Sequence, residues 1–581
     1  MPKSFLTGGV ESTASASRWR RSLGGAARSF AVNVANPNLR RAQLSFAAAW
    51  TGEWTLAVAL SVVAFRDGGP AAVGAVAFLR MVPAALLSPI GTALADRFRR
   101  DKVLRWTCAI RAAALAACTA TVATDGPTSV AYALAAIATI AFVVFRPAHS
   151  ALLPSLCRSP LDLTSANVVR GLIDSMSMLV GPALAAFLLA VADPATALGC
   201  SALLTLAAGL ALARLSYDVV PIAPSGAPRR LFEEAVEGFR ALPRYPDVHL
   251  LVRLTLTQAA TRGCFSVLVV VVAIEMLDVG EAGVGLLTAA VGAGAVAGSL
   301  GVAMFADGGR LAAVLGVGVA LWAFPLAVAG AVPSEALILV MLAVVGVGNS
   351  MVDVGIFTLP PRLVPDAVLA RLFGALESLG ALVVAAACLL TPLVLDAIGV
   401  RWTLVVVGLL GPTHVAVSWT RLRSIDRTVT RRDLEIGLLD ELPMFRPLAL
   451  PAIEQLADRL HPDTFDVGEH VVTQGDPGDH FFVIERGAAD VVRDGVVTGG
   501  LAAGDGFGEI ALLRDVPRTA SVVATMPLRL YSLGRDDFLG AIAGPTASRV
   551  AAEEIATARL GNNAPPDRAG PPNAEAPDSL H

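Results

Sequence analysis

A glutamate and an arginine with the chemistry to bind a sugar phosphate lie close together near the C-terminus. Glu509 follows Gly508, and Arg518 comes nine residues after Glu509, at the end of the stretch "GEIALLRDVPR". The glycine indicates a turn from a strand into a short helix, whose free N–H groups can bind a phosphate. A guanidinium adds a bidentate charged hydrogen bond to that phosphate, and an ionised carboxylate, which only accepts hydrogen bonds, suits a ribose hydroxyl beside it. The pattern predicts a site for a phosphorylated ribose.

A second set of candidate residues consists of charged side chains inside long apolar segments. Each such charge costs about 2.5–3.5 kcal/mol at membrane depth, so a functional or pairing role is expected. Glu53 and Asp353 lie near the middle of their segments, without an opposite charge three or four residues away. An apolar cavity favours the protonated carboxyl group, so either residue is a candidate proton carrier. The alternative is structural pairing, with Arg80 and Arg111 as possible partners.

Two further polar positions accompany these carboxylates. Asp174 comes four residues after Arg170, so the two share a helix face and can form a local ion pair. Asn349 stands one helical turn before Asp353, which indicates a polar helix face lining a cavity.

Composition places most of the chain in a membrane. Of 581 residues, 55% are hydrophobic and 16% charged, and the mean hydropathy is +0.65. Soluble proteins carry about a quarter charged residues. The net charge of −3 argues against a nucleic-acid partner. The six cysteines lie in or beside apolar segments without metal-ligand spacing, so neither a metal site nor a disulfide framework is expected.

About twelve apolar segments are long enough to cross a bilayer as helices. They lie near residues 42–65, 71–94, 103–122, 129–145, 163–192, 195–213, 251–277, 282–305, 311–332, 336–359, 372–395 and 402–419. Lys and Arg concentrate in the loops after the even-numbered segments, whereas the opposite loops carry little beyond Arg66 and Arg401. Because basic loops stay in the cytoplasm, we expect a multi-pass protein of the cell membrane with both termini cytoplasmic.

These features divide the chain into seven parts. They are a disordered basic tail at 1–41, a six-helix half at 42–216, a cytoplasmic linker with an amphipathic surface helix at 217–249, a second six-helix half at 250–422, a short linker at 423–438, a β-rich domain at 439–560 and a disordered tail at 561–581.

The loops after the second and eighth segments repeat one motif. "TALADRFRRDKVL" contains Asp96, Arg97 and Arg100, and "AMFADGGRL" contains Asp307 and Arg310. The same turn after the second helix of each half is an internal repeat. An Asp-Arg pair at a helix end can interact with helix dipoles and pair across the bundle. These residues are predicted to form a conformational latch; ordinary positive-inside charge is the alternative.

The first of these loops resembles the Asp-Arg-x-Gly-Arg loop of the major facilitator superfamily, with Arg99 where the glycine is expected. "SMLVGPALAA" resembles a softened form of the superfamily's antiporter motif, and "RPAHSALLPSL" and "VPDAVLARLFGALESL" are similar to its drug- and siderophore-exporter branch. The resemblance covers about residues 40–422. It implies an α-helical bundle of twelve spans in two halves that exports a small molecule, coupled to protons. The transport and proton-coupling candidates are then the charged residues Glu53, Asp353, Asp174, Arg80 and Arg111.

From about Leu439 the pattern changes to short β-prone runs separated by glycines. Strands are predicted at 471–472, 481–484 and 489–492 and in "LRLYSLG", with a helix from "RDDFLGAI" onward. This predicts a small cytoplasmic β-barrel, jelly-roll-like, with helices at both ends.

Residues 507–512 and 517–522, together with the turn at 475–479, resemble the phosphate-binding cassette of cyclic-nucleotide-binding domains. The resemblance implies that Gly508 and Glu509 hold the ribose 2′-hydroxyl and that Arg518 holds the cyclic phosphate. The remaining binding residues that it implies are Ile510 and Ala511, through their N–H groups, and Thr519 and Ala520 beside the arginine. The regulatory ligand is cyclic AMP in our preferred interpretation and cyclic GMP in the alternative.

The sequence thus favours a proton-coupled exporter of a small molecule, regulated by a cyclic nucleotide. The competing interpretation is a membrane-tethered nucleotide receptor whose bundle does not transport. A nucleotide-gated channel lacks support because no carbonyl-filter motif is present. The chain shows no hydrolase or kinase constellation, so we expect a non-enzyme with no catalytic residue and no catalytic cofactor.

Overall fold

The computed structural model describes residues 35–157, 160–215, 245–302, 310–364, 366–448, 450–543 and 546–561. The chain forms two compact units that divide between Asp426 and Arg427, inside the segment predicted as the second linker. The predicted basic tail up to residue 34, most of the amphipathic segment (216–244) and the tail beyond 561 lie outside the described residues.

The described residues of the first unit form helices joined by short turns and loops. Its helices are α1 (Pro37–Arg97), α2 (Arg100–Ala123), α3 (Thr128–Val143), α4 (Phe145–Leu156), α5 (Pro160–Val191), α6 (Pro194–Ala213), α7 (Pro246–Val271, followed by a π-helical turn at Val272–Met276), α8 (Gly280–Val302), α9 (Leu311–Ala331), α10 (Glu335–Thr358), α11 (Pro360–Leu363) and α12 (Asp366–Glu441). The predicted apolar segments fall on these helices.

Ten helices in the described part of the chain are long and apolar enough to cross a membrane, judged by length and composition. Two of them are very long because each carries two predicted spans. Helix α1 has non-helical backbone at Gly68 and Gly69, and α12 has it at Gly399. These breaks fall between predicted spans, so ten helices hold the twelve predicted segments. How many spans cross the membrane, and in what arrangement, stays a prediction.

Helix α12 continues through the predicted linker to Glu441. The stretch "RSIDRTVTRRDLEI" contains neither glycine nor proline, and Arg431 pairs with Glu435 one turn later at 2.8 Å. Pairs with this spacing support exposed helices. Helical structure therefore extends beyond the last apolar segment.

Helices α1 and α5 approach each other closely at the glycine of the "VGPA" segment. A Cβ on Gly181 would lie 2.5 Å from Trp54 Cβ and 2.8 Å from the Thr51 carbonyl oxygen. The Thr55 hydroxyl also donates to the Gly181 carbonyl at 3.1 Å. Small residues of this kind let helix backbones pack tightly in membrane proteins. The contact fixes α5 against the part of α1 that carries Glu53.

The second unit combines two antiparallel four-stranded sheets with short helices. Its elements are α13 (Leu450–Ala457), β1 (His461–Phe465), β2 (His470–Val472), β3 (His480–Arg486), β4 (Ala488–Arg493), β5 (Val496–Ala502), β6 (Gly506–Phe507), α14 (Glu509–Arg514), β7 (Ser521–Ala524), β8 (Leu528–Gly534), α15 (Arg535–Ala543) and α16 (Thr546–Gly561). The sheet orders are β1-β8-β3-β6 and β2-β7-β4-β5. The predicted strands are present, but they form two sheets packed as a β-sandwich rather than the predicted barrel.

The sandwich has an apolar core on each side of the β1-β8-β3-β6 sheet. One core lies between the two sheets, and Ile484 and Leu530 of the β1-β8-β3-β6 sheet belong to it. The other joins it to the helices, where the rings of Phe445, Phe481 and Phe538 meet, the last two with centroids 4.8 Å apart. Burying one such side chain contributes about 1.5–3 kcal/mol. The helices are thereby held against the sheet whose strand β6 leads directly into α14.

Candidate functional site

The predicted cassette contains a glycine, Gly508, whose backbone conformation is unfavourable for any other residue. Gly508 joins β6 to α14 with φ 97°, a left-handed conformation that favours glycine. A Cβ there would lie 2.7 Å from Arg518 Nη1 and 2.9 Å from the His480 carbonyl oxygen. The absence of a side chain therefore lets the arginine cross directly over the start of α14.

The Arg518 guanidinium is held by backbone carbonyls rather than by a close carboxylate. Nη1 donates to the Gly508 carbonyl at 3.2 Å and Nη2 to that of His480 at 2.8 Å. Asp479 lies 3.9 Å away and is exposed, whereas the arginine side chain is only 5% exposed. Burial lowers the pKa of Arg518 below its ordinary value, and the carboxylates of Asp479 and Glu509 oppose that change. A buried cation of this kind is suited to an anionic ligand.

The turn at residues 475–479 fixes the backbone of this arginine. The Gly475 N–H donates to the Arg518 carbonyl at 2.9 Å, and the Arg518 N–H donates to that of Asp476 at 2.8 Å. His480 contacts the Asp479 carboxylate at 2.9 Å, and this hydrogen bond lowers the pKa of Asp479. The turn and the arginine are therefore a single rigid arrangement, although they lie far apart in sequence.

Glu509 is completely buried, and its two carboxylate oxygens differ. Oε1 accepts from Arg559 Nη1 at 2.8 Å. Oε2 has no hydrogen-bond partner among the described residues. A buried acceptor without a partner costs about 1–3 kcal/mol, more when it is charged. The structure thus presents one free acceptor at the position predicted to bind a ribose hydroxyl.

The other predicted cassette residues lie beside these two. Ile510 and Ala511 are the second and third residues of α14. Thr519 and Ala520 are half-buried at the bend between Arg518 and β7. The structure therefore brings every predicted binding residue of this segment to one place, and their individual roles stay predictions.

In the helical unit, Glu53 lies between two arginines. Its Oε1 is 3.0 Å from Arg80 Nη2, and its Oε2 accepts a short hydrogen bond from Arg111 Nη2. Arg80 also donates to the Thr139 hydroxyl at 2.8 Å, and the Arg111 guanidinium stacks 3.9 Å above the Phe142 ring. Both carboxylate oxygens of Glu53 are thus occupied by cations.

Asp353 has a different environment, on the wall of a cavity of about 840 Å³. Among the described residues its hydrogen bond comes from Asn349 Nδ2, at 2.9 Å from Oδ2. Asn349 is oriented by the buried Trp322, whose indole N–H donates to its Oδ1 at 3.2 Å. The charged residues that line the same cavity are Arg80, Arg146, Asp174, Arg262, Asp353 and Glu377.

Asp174 interacts with a residue from another helix. Its Oδ2 lies 3.9 Å from Arg146 Nη2, in α4. Arg170 donates a short hydrogen bond to the Ser150 hydroxyl, also in α4. Both residues of the predicted α5 pair therefore contact α4, and Asp174 faces the cavity.

Three predicted latch residues, Asp96, Arg97 and Asp307, have side chains outside the described part of the structure. Arg100 donates to the Ala151 carbonyl at 2.7 Å. Arg310 is exposed at the start of α9. The latch itself stays a prediction.

Three interactions were not predicted. The buried Asp101 pairs with Arg105 one turn later, at 2.7 Å. Asp426 accepts from the first free N–H groups of α9, at 2.7 and 3.0 Å. The Arg559 contact with Glu509 was also missed. The spacing of Asp101 and Arg105 could have revealed the first; the other two join residues 114 and 50 positions apart, without a local signal.

Comparison with known families agrees with this division of the chain. Residues 462–544 match the family model for the cyclic nucleotide-binding domain. Residues 44–261 match that of the Major Facilitator Superfamily.

Similar proteins were found for the C-terminal part. The cAMP-dependent protein kinase regulatory subunit of Eremothecium gossypii is 38% identical over 137 residues, 22% of this chain and 30% of that protein. That of Yarrowia lipolytica is 40% identical over 116 residues, 20% of this chain and 31% of that protein. A solved structure, the regulatory domain of Toxoplasma gondii PKA with cAMP, is 25% identical, with 23% of this chain and 52% of that chain covered and a TM-score of 0.21.

The chain thus spans about a third of the length of these curated relatives. Taken together, the two family matches and the site geometry lead to one identification: the chain combines a Major Facilitator Superfamily domain with a C-terminal cyclic nucleotide-binding domain.

Proposed function

We propose that this protein is a proton-coupled exporter of a small molecule, regulated by cyclic AMP bound to its C-terminal domain. The observation that carries the regulatory part is the pair formed by Glu509 and Arg518. Glu509 presents a buried carboxylate oxygen that no other described residue contacts by a hydrogen bond, and Arg518 presents a buried guanidinium held by carbonyls. A ribose hydroxyl and a cyclic phosphate supply the missing donor and the missing anion.

The choice of cyclic AMP draws support from the relatives. Those at 38% and 40% identity are named cAMP-dependent protein kinase regulatory subunits. Thr519 is compatible with either nucleotide, because its hydroxyl can bond the phosphate or a guanine amino group. Since one neutral hydrogen bond contributes only about 0.5–1.5 kcal/mol net, Thr519 alone does not decide the selectivity.

The transport part rests on the cavity of about 840 Å³ in the helical unit. Cavities that bind small molecules typically measure about 300–1,000 Å³ and combine apolar walls with a few placed polar groups. Here Trp54, Phe265 and Trp322 contribute aromatic surface, and Arg262 and Asp353 contribute charge. Such a lining suits an amphiphilic molecule with a polar or charged end. Export by exchange with protons follows from the resemblance of the "SMLVGPALAA" segment to an antiporter motif.

Transport assays in proteoliposomes test both parts together. The purified chain is reconstituted, a pH gradient is imposed, and a library of small molecules is screened for gradient-driven movement, with and without saturating cyclic AMP. We expect at least one substrate, and a rate that nucleotide changes by roughly 5- to 150-fold, the usual range for allosteric coupling of about 1–3 kcal/mol.

The two other outcomes separate the alternatives. Nucleotide binding without proton flux or substrate movement would favour the membrane-tethered receptor. Transport with the same kinetics at zero and saturating nucleotide would leave the C-terminal domain without a regulatory role.

A further inference from the structure

One guanidinium nitrogen joins the end of the last described helix to the cassette. Arg559 Nη1 donates to Glu509 Oε1 at 2.8 Å and to the Gly506 carbonyl oxygen at 2.9 Å. Glu509 is fully buried, whereas the Arg559 side chain is 37% exposed. The arginine therefore covers the carboxylate from the solvent side.

The helix that carries Arg559 is docked on the domain rather than free. Ala552 and Ala556 of α16 are completely buried, and Ala552 belongs to the same apolar core as Phe538. The guanidinium is thus delivered to Glu509 from a fixed element. Burying a carboxylate without a cation would cost free energy, and the Arg559 guanidinium offsets that cost.

The geometry points to Arg559 as the residue that sets the ribose selectivity of the nucleotide site. This inference rests on the proposed function. By donating to Oε1, Arg559 fixes the orientation of the Glu509 carboxylate and leaves Oε2, which has no partner among the described residues, for a donor on the ligand. The ribose 2′-hydroxyl is that donor. Because it binds the other oxygen, it does not displace Arg559, so nucleotide binding and docking of α16 reinforce each other.

The test compares cyclic AMP with its 2′-deoxy analogue on the full-length chain in detergent. Labelled cyclic AMP is displaced by each unlabelled nucleotide, and the ratio of the two dissociation constants is measured. A hydrogen bond to a charged group contributes about 1.5–3 kcal/mol, so the wild-type ratio is expected at roughly 10- to 150-fold in favour of cyclic AMP. Arg559→Ala should lower that ratio to a few-fold, and Arg559→Lys should keep most of it.

The matched control is Arg549→Ala, an exposed arginine of the same helix, which should leave the ratio unchanged. Weaker binding of both nucleotides by Arg559→Ala with an unchanged ratio would overturn the inference, because Arg559 would then act on stability alone. If the alanine variant binds too weakly to measure, Arg559→Met keeps the aliphatic stem on α16. A collapsed ratio in that variant supports the inference, and an unchanged ratio refutes it.

Binding of the two nucleotides to the wild-type chain distinguishes a failure of the proposed function from a failure of this inference. A wild-type chain that binds neither nucleotide would remove the proposed regulatory role altogether. A wild-type chain that binds both equally well would retain nucleotide binding but refute the assignment of Glu509, and with it that of Arg559.

Discussion

Two glutamates, one in each unit of the molecule, differ in how completely their charge is paired; Glu53 is half-buried and Glu509 is fully buried. Glu53 has one arginine on each oxygen, Arg80 and Arg111. Glu509 has Arg559 on one oxygen and nothing on the other within the described structure. The first arrangement satisfies the carboxylate within the protein, whereas the second leaves a place for a ligand. A carboxylate oxygen without a hydrogen-bond partner is therefore a better indication of a ligand site than the burial of the carboxylate alone.

The same criterion separates the two carboxylates predicted to carry a proton. Asp353 lies on the cavity wall with an amide as its described hydrogen-bond partner. A proton on Glu53 would break two salt bridges, whereas Asp353 forms no salt bridge with any other described residue. We therefore propose Asp353 as the proton carrier and Glu53 as the residue that pairs two buried arginines.

The largest expected effect is on transport by Asp353→Asn. The amide preserves the shape of the side chain but cannot take up and release a proton, so transport driven by a pH gradient should be lost, while the protein inserts and melts as wild type does. Gradient-driven flux in proteoliposomes measures this. Asp396→Asn, which changes an exposed carboxylate of α12, is the control. Undiminished flux in Asp353→Asn would remove this residue from the mechanism.

The next largest effect is on stability, by Glu53→Gln. This change leaves Arg80 and Arg111 as buried cations without their counter-charge, and breaking a buried pair costs about 3–5 kcal/mol. The unfolding midpoint in detergent should therefore fall clearly, whereas Asp353→Asn shifts it little. A Glu53→Gln protein that melts normally but has lost proton flux would reverse the two assignments.

A somewhat smaller loss is expected for nucleotide affinity in Arg518→Ala. Removing a charged partner from a buried phosphate costs about 2–5 kcal/mol, which corresponds to roughly thirty-fold or more in the dissociation constant. Displacement of labelled cyclic AMP from the full-length chain measures it. Arg514→Ala is the control, since Arg514 is exposed at the end of α14. Equal affinities for the two variants would mean that the arginine does not hold the ligand.

Features encoded within a few residues of sequence could be predicted. Apolar segments of about twenty residues predict helices, because each helix satisfies its own backbone within a membrane, and the described helices follow them. The cassette was equally accessible, since its glycine, glutamate and arginine occupy one short stretch. The continuation of α12 to Glu441 was missed because the prediction followed hydrophobicity, which ends before the polar helix does.

Contacts between distant residues were beyond sequence reasoning. Arg80 and Arg111 were only possible partners for Glu53, because their helix faces and depths depend on how α1 and α2 pack. The contact of Arg559 with Glu509, fifty positions away in the sequence, has no local sequence signal. Both sets of contacts depend on tertiary packing. The Arg559 contact, in particular, depends on the docking of α16 through small alanine side chains.

The smallest expected effect concerns the choice between the two nucleotides. Thr519 directly follows Arg518, the residue proposed to bind the phosphate, and is half-buried. Its hydroxyl can bond the phosphate, which both nucleotides share, or the guanine amino group, which cyclic AMP lacks. Thr519→Ala should therefore weaken cyclic GMP more than cyclic AMP, by about two- to ten-fold, the value of one neutral hydrogen bond.

Competition titration of the full-length wild type and of Thr519→Ala with both nucleotides measures this change. Thr525→Ala, a hydroxyl position just after β7, is the control. We expect wild type to bind cyclic AMP more tightly. A lower dissociation constant for cyclic GMP would reverse the proposed regulator, and an equal loss for both nucleotides in Thr519→Ala would mean that the hydroxyl contacts the shared phosphate. Because the groups that we propose Glu509 and Arg518 to bind, the ribose hydroxyl and the cyclic phosphate, are common to both ligands, selectivity then has to come from contacts with the base.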